Sequence, residues 1–437
     1  MAINVAVQWE CQSGGDDNNG GGFKEGASGT DYSQQTTAQA TTTTATVVNA
    51  TTSRIDVDSG DYTCTDADIG NIIQIYGGTA TAGFYEITGR SGQQWFLDRA
   101  VGTAGQTVVA KMGGCFASPG GMSAATTNGA NSYNKFWLKS GTYTLTNATG
   151  RTSGGPWVSD NLNGIVLEGY ENTRGDFGTA PILKAGTQTN LILFHHDRAN
   201  QMTFTNLKAD GESQTGVNGF DADYSGVRYF LCEALNCDAA TTNYGFQSGK
   251  AYRCNATNCG EGFDAMGHAE SCIAKGCNTG FINTVVVSNS LAFDCVNGIS
   301  AGTLNSVANC TVDNCSGIGV VGGLYLYLAG TIISNCVQGY DSPSSQEHLI
   351  QVAFYNNTSD GDTGEIDFDT IALTADPYND SANDDYTLND TAGGGADCVV
   401  PLGVNGSNTT IGALPQVTSG GAGGGLLRVN MNGNVFG

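Results

Sequence analysis

From Cys232 to Tyr340 the chain alternates short apolar or small-residue stretches with polar bends every five to eight residues, too tight a rhythm for helices and one suited to short strands. Most of the fourteen cysteines fall in this segment and obey a rule. Cys232/Cys237, Cys254/Cys259, Cys272/Cys277 and Cys310/Cys315 have the form C-x4-C, and Ser290/Cys295 and Thr331/Cys336 keep the spacing with one member replaced. The second member recurs at Cys237, Cys259, Cys277, Cys295, Cys315 and Cys336, an almost even step. A period near twenty marks a solenoid.

The residue before each second cysteine is Asn236, Asn258, Gly276, Asp294, Asn314 or Asn335, all types that tolerate a left-handed backbone and so can bend the chain sharply between two strands. An apolar residue follows glycine in Gly245-Phe246, Gly262-Phe263, Gly280-Phe281, Gly298-Ile299 and Gly339-Tyr340. Each repeat reads strand, left-handed turn, strand, glycine turn, apolar anchor. The leucine spacing of leucine-rich repeats and the 3.6-residue period of helical repeats are both missing. The expected fold is all-β: a right-handed parallel β-helix with coils about 4.8 Å apart. Cys232, Cys254 and Cys272 would stack with Ser290 in one interior ladder, and Cys237, Cys259, Cys277, Cys295, Cys315 and Cys336 in another; Cys310 keeps the C-x4-C spacing with Cys315.

Upstream, Phe136 to Leu145 (FWLKSGTYTL) and Gly164 to Tyr170 (GIVLEGY) read as first coils. This run is similar to the opening of right-handed β-helix proteins of the pectate-lyase-like superfamily, which includes phage tailspikes. Asp376 to Leu388 (DPYNDSANDDYTL) resembles their closing coil. The likeness is architectural and spans about residues 130 to 404. Residues 46 to 115 read as a separate small β module, with strands such as GFYEITGR and QQWFLDRAVG. Residues 1 to 45, rich in Gly, Asn and Thr, are expected to form an extended arm, and residues 405 to 437 a Gly-rich linker ending in one strand pattern, LLRVNMNGNVF.

Net charge is −24, with no basic patch to offset it, which disfavours a nucleic-acid partner. No stretch reaches membrane-spanning length, and the start lacks the basic and apolar regions of a secretory signal. Synthesis in a host cytoplasm, with reduced cysteines acting as small buried hydrophobes, is the expectation. Inter-coil disulfides are within geometric reach, whereas C-x4-C on a strand-turn-strand lacks a zinc knuckle.

Candidate chemistry is sparse. Paired carboxylates for glycan hydrolysis occur at Asp210/Glu212, Asp221/Asp223 and Glu261/Asp264, with Asp294 nearby. A pectate-type lyase would need calcium-binding carboxylates beside a basic residue; Lys250 and Arg253 are the close basic pair, without the family's catalytic motif around them. Asp360, Asp362 and Glu365 miss the EF-hand spacing, His195-His196 has no matching third ligand, and Arg174-Gly175-Asp176 reads as a chance string. No cofactor or metal is expected, calcium being the one cation the acidic surface would draw. The resemblance to tailspikes implies a virion surface protein, a spike, fibre or capsid decoration, that forms a homotrimer and contacts other virion proteins and host glycans; the sparse candidate chemistry leans against an enzyme without deciding it, a polysaccharide-degrading hydrolase or lyase being the activity expected if there is one. The alternatives are a polysaccharide lyase or hydrolase on the same scaffold and a bacterial surface or filament-forming protein.

Overall fold

The computed structural model describes residues 6–401, apart from segments 50–52, 129–133, 150–153, 161–163, 198–200, 239–242, 342–347 and 362–366 and positions 224, 303, 324 and 369. Residue 3 and strand fragments 408–410, 428–429 and 435–436 are described as well. The linker and tail expected over 405–437 otherwise lie outside the described residues, as do Asp362 and Glu365.

The chain winds into a right-handed parallel β-helix of three long sheets with 13, 11 and 10 strands. Successive coils contribute one short strand to each, as in Lys250–Tyr252, Asn255–Thr257 and Glu261–Asp264 for the first, second and third sheets. Registers are in phase from coil to coil: Glu233 pairs with Asn255, Asn255 with Ile273 and Ile273 with Leu291.

The cysteines sit at the bends of these coils. The carbonyl of Cys232 accepts from Asn255 N–H at 3.0 Å, that of Cys254 from Ile273 at 2.9 Å, that of Cys272 from Leu291 at 2.9 Å and that of Ser290 from Thr311 at 3.0 Å, so these residues and Cys310 occupy one column. Equivalent bonds run from Cys237 through Cys259, Cys277, Cys295 and Cys315 to Cys336. All fourteen cysteines are free and buried.

Asn236, Asn258, Gly276, Asp294, Asn314 and Asn335 all have φ between 50° and 62°. Their side chains bond along the column: Asn258 Nδ2 donates to Asn236 Oδ1 at 3.3 Å and Asn314 Nδ2 to Asp294 Oδ1 at 2.7 Å. The regular coils have further left-handed bends at Leu231, Arg253 and Ser271 and at Ser248 and Ala265. Leu231 and Arg253 take this conformation against intrinsic preference. The inter-coil bonds made by their N–H groups, to Tyr252 O at 3.2 Å and Glu270 O at 3.0 Å, offset the cost.

Inside the third sheet, Phe194, Phe220, Phe246, Phe263 and Phe281 stack with centroids 4.9 to 5.0 Å apart and planes within 8°. They are fully buried, and Ala234, Ala256, Ala274 and Ala292 of the second sheet lie against Gly245, Gly262 and Gly280, the glycines that precede Phe246, Phe263 and Phe281.

The ends differ from the sequence reading. Residues 1–45 are not an extended arm: Val7–Cys11 is a strand of the first sheet, parallel to Lys135–Lys139 and antiparallel to Gly22–Lys24, with Trp9 and Cys11 fully buried. The glycines that suggested an extended arm are there for close approach. A Cβ on Gly20 would lie 1.9 Å from Ile72 O, and one on Gly21, at φ +69°, 2.0 Å from the Phe116 ring. The β module is a closed six-stranded antiparallel barrel that begins at Ala40 rather than residue 46 and ends at Met112. It is inserted between the first two strands of the solenoid instead of preceding it. Asp376 to Leu388 is not a coil either. It forms a hairpin, Tyr378–Asp380 against Asp385–Leu388, that folds back over the outside of the second sheet. Tyr386 packs on Phe293 at 4.9 Å and donates to Asp313 Oδ2 at 3.2 Å, and Lys275 pairs with Asp384 at 2.6 Å.

Arg174 fastens the first strand to the solenoid. Its guanidinium donates to Glu10 Oε2 (2.8 Å), Gln8 Oε1 (2.9 Å), Asp31 Oδ2 (3.0 Å) and Ser33 Oγ (2.8 Å), and Tyr170 Oη donates to Glu10. The Arg-Gly-Asp string is thus a fold contact, its Asp176 accepting the backbone N–H groups of Glu171, Asn172 and Thr173. Glu10 has no exposure, and burial pushes its carboxyl up to about 7 against the pull of Arg174 and Tyr170.

Two outcomes follow from this packing. Phe246→Ala opens a hole in the middle of the phenylalanine stack and should cost about 3 to 5 kcal/mol in denaturant unfolding; a loss below about 1 kcal/mol would mean that the stack does not carry the core. Because the folded carboxyl of Glu10 titrates above its unfolded value of 4.5, the native state binds more protons between about 4.5 and 7. Its contribution to stability is therefore complete below that interval and is lost as pH rises through it. Melting temperatures measured across that range should show a shallower decline for Glu10→Gln than for the unsubstituted chain.

Candidate functional site

Strands of the third sheet bury two consecutive residues and turn the flanking ones outward: in Glu261–Asp264, Gly262 and Phe263 are buried while Glu261 and Asp264 are partly exposed. Two outer columns result. One holds Asn218 on Val217–Ala222, Tyr244 and Glu261; the other holds Val158, His195, Asp221, Gln247 and Asp264 in successive register.

At the early coils these columns border an open groove of about 480 Å³. Pro156, Val158, Leu191 and Ile192 form its apolar wall, and Asn190, Asn218, Asn243 and His195 bring polar groups to it. The amides are held by the fold. Asn218 Oδ1 accepts Tyr244 N–H at 3.0 Å, and Asn243 Nδ2 donates to Asp238 Oδ2 at 3.0 Å, which also accepts Gly216 N–H at 2.9 Å.

His195 stands at the rim. Its neighbour His196 points inward, fully buried, with Nδ1 2.8 Å from Ser159 Oγ, because adjacent strand residues face opposite ways. His195 Nε2 lies 3.9 Å from Asp221 Oδ2 and 3.7 Å from Asp223 Oδ1. Tyr244 Oη donates to Asp221 Oδ2 at 3.1 Å from the next coil. Burial raises the Asp221 carboxyl, with His195 and the Tyr244 hydroxyl opposing it. Burial raises Tyr244 as well, and Asp221 adds to the effect.

Of the carboxylates proposed from sequence, only Asp221 and Asp223 join a mixed cluster at the groove. Asp210 and Glu212 are taken up by Lys184, at 3.4 and 3.1 Å, and by the Glu212 and Gly186 N–H groups. Asp264 accepts from Gln247 Nε2 at 2.9 Å, while burial raises half-buried Glu261 on the same strand. Asp294 is a turn residue bonded to Asn314, and Asp360 accepts from Asn357 at 3.1 Å. Lys250 is exposed on the first sheet and Arg253 is exposed at the bend that follows its strand.

The expectation that the histidine pair has no matching third ligand is corrected for His195. His195, Asp221 and Asp223 each offer one ligand atom, all within 4.8 Å of one another. Both carboxylates come from the next coil, beyond the reach of any local spacing rule.

No family model and no curated protein matches this chain. Solved structures similar to it include the Azotobacter vinelandii mannuronan C-5 epimerase AlgE4 A-module, at 13% identity and TM-score 0.33 over 50% of this chain and 68% of that one. The catalytic domain of a GH87 α-1,3-glucanase in complex with tetrasaccharides follows at 11% and 0.27, over 85% and 96%. The Gp54 tailspike of Acinetobacter baumannii bacteriophage AP22, in complex with A. baumannii capsular saccharide, stands at 12% and 0.17, over 73% and 59%. The likeness is one of scaffold.

Proposed function

We propose that this chain is a glycan-binding surface protein of a phage or virus-like particle, and that the groove beside His195 holds the sugar. The observation that carries the reading is the groove's lining: an apolar wall for the C–H faces of a sugar, opposite side-chain amides and an imidazole for its hydroxyls. The virion setting rests on the tailspike-like opening of the solenoid, and with it goes a homotrimer. The strands Val7–Cys11 and Gly22–Lys24 belong to the first sheet and are not a free anchoring arm.

A second reading, a glycan-modifying enzyme, is favoured by one feature. The Tyr244 hydroxyl, hydrogen-bonded to the Asp221 carboxyl, and the His195 imidazole 3.9 Å from that carboxyl bring three groups able to hold or release a proton together from three coils at the groove rim.

The test is a panel of bacterial capsular and cell-wall polysaccharides presented to the full chain and to Ile192→Trp, which fills the groove from a half-exposed position. Binding of at least one glycan, weakened at least tenfold in the variant at unchanged melting temperature, is the expected result. Equal binding by both proteins would remove the groove from the function. Release of shortened or unsaturated products, abolished by Asp221→Asn, would replace the binding reading with the enzymatic one. Light scattering of the full chain should give about three times its 45.0 kDa.

A further inference from the structure

We propose that His195, Asp221 and Asp223 bind one divalent transition-metal ion of the zinc or manganese class, with its open coordination positions facing the groove.

Three electron-pair donors converge without bonding to one another. Oδ2 of Asp221 and Oδ1 of Asp223 lie 3.9 and 3.7 Å from Nε2 of His195. Those separations are too long for direct hydrogen bonds. They are close to the edges of a coordination polyhedron: with metal–ligand bonds of about 2.1 Å, ligand atoms sit roughly 3 to 3.5 Å apart, within reach of a small side-chain adjustment.

The support behind the ligands has the form that metal sites need. His195 and Asp221 are directly opposite on hydrogen-bonded parallel strands, so their spacing is set by the sheet. The Asp221 side chain is only 8% exposed, and its oxygen facing His195 is oriented by the Tyr244 hydroxyl, an outer partner of the kind that fixes ligating carboxylates. Asp223 is exposed and free to close on an ion arriving from solvent. His195 lines the groove, which supplies the entry path.

The donor set also selects the ion. Calcium and magnesium prefer oxygen ligands only, and one imidazole with two carboxylates suits a borderline metal. Three protein ligands leave room for at least one more, as in open rather than structural sites. Where the groove holds a glycan, that position would be taken by a hydroxyl or carboxylate of the sugar. This last step alone rests on the function proposed above.

The experiment uses the full chain stripped with a chelator and titrated calorimetrically with zinc and, separately, manganese chloride, in excess calcium to occupy the general acidic surface. One equivalent should bind. Asp223→Asn, an exposed and structurally tolerant change, and His195→Ala should each weaken binding at least tenfold, while Asp66→Asn, an exposed acid elsewhere, should leave it unchanged. Cobalt substitution should give visible absorption bands that disappear in His195→Ala. No binding above the calcium background, or binding that survives both site substitutions, overturns the proposal. Glycan binding is then measured with and without chelator. Metal binding without any glycan binding leaves the site standing and removes the proposed function, whereas glycan binding with no metal site does the reverse. Equal glycan binding in chelator, with the metal site present, removes only the bridging step.

Discussion

Everything in this molecule depends on coils that lie one strand spacing apart and in register. Parallel strands fix that spacing through their hydrogen bonds, and side chains at equivalent positions must then touch their own counterparts above and below. The phenylalanine stack, at 4.9 to 5.0 Å between rings, shows the same repeat in the core that the backbone bonds impose on the sheets. Residues that pack well against copies of themselves suit this geometry: flat rings, small alanines, compact thiols. Charged residues rarely do, which agrees with a fully buried core containing cysteine columns but few ionisable groups that are charged at neutral pH.

The same constraint governs the bends. A coil this short has to reverse direction at single residues, and asparagine does so at small cost while bonding to the asparagine or aspartate of the coil before it. Where the left-handed residue is Leu231 or Arg253, no side-chain chemistry favours it, and the bond made by its backbone to the next coil has to hold it there.

A solenoid leaves two ends, and this chain treats them differently. At the start, the strand Val7–Cys11 supplies a first layer, the inserted barrel sits beside it, and Arg174 reaches back from a later loop to tie Glu10 and Asp31 together. Toward the other end, the chain leaves the helix and lays the Tyr378–Leu388 hairpin along the outer face of the second sheet, covering Leu291, Phe293 and Ile332. Those three apolar residues point away from the interior, and the hairpin is what removes them from water.

The repeat, its period, the columns that stack and the left-handed asparagines were all legible in the amino-acid order, because each depends on residues within one coil or on an even step from Cys237 to Cys336. Where the ends go was not. Glycines that fit under Phe116 and Ile72 read locally as part of an extended arm, and the strand Val7–Cys11 pairs with Lys135–Lys139, on the far side of the whole barrel. The groove was hidden for a related reason. His195 and Asp221 are separated by more than one regular repeat, so their register across neighbouring coils exists only once the irregular turn between them has folded. Local spacing identifies what stacks with its own kind, whereas folding alone brings unlike side chains, an imidazole, two carboxylates and a phenol, to one place on the outer face.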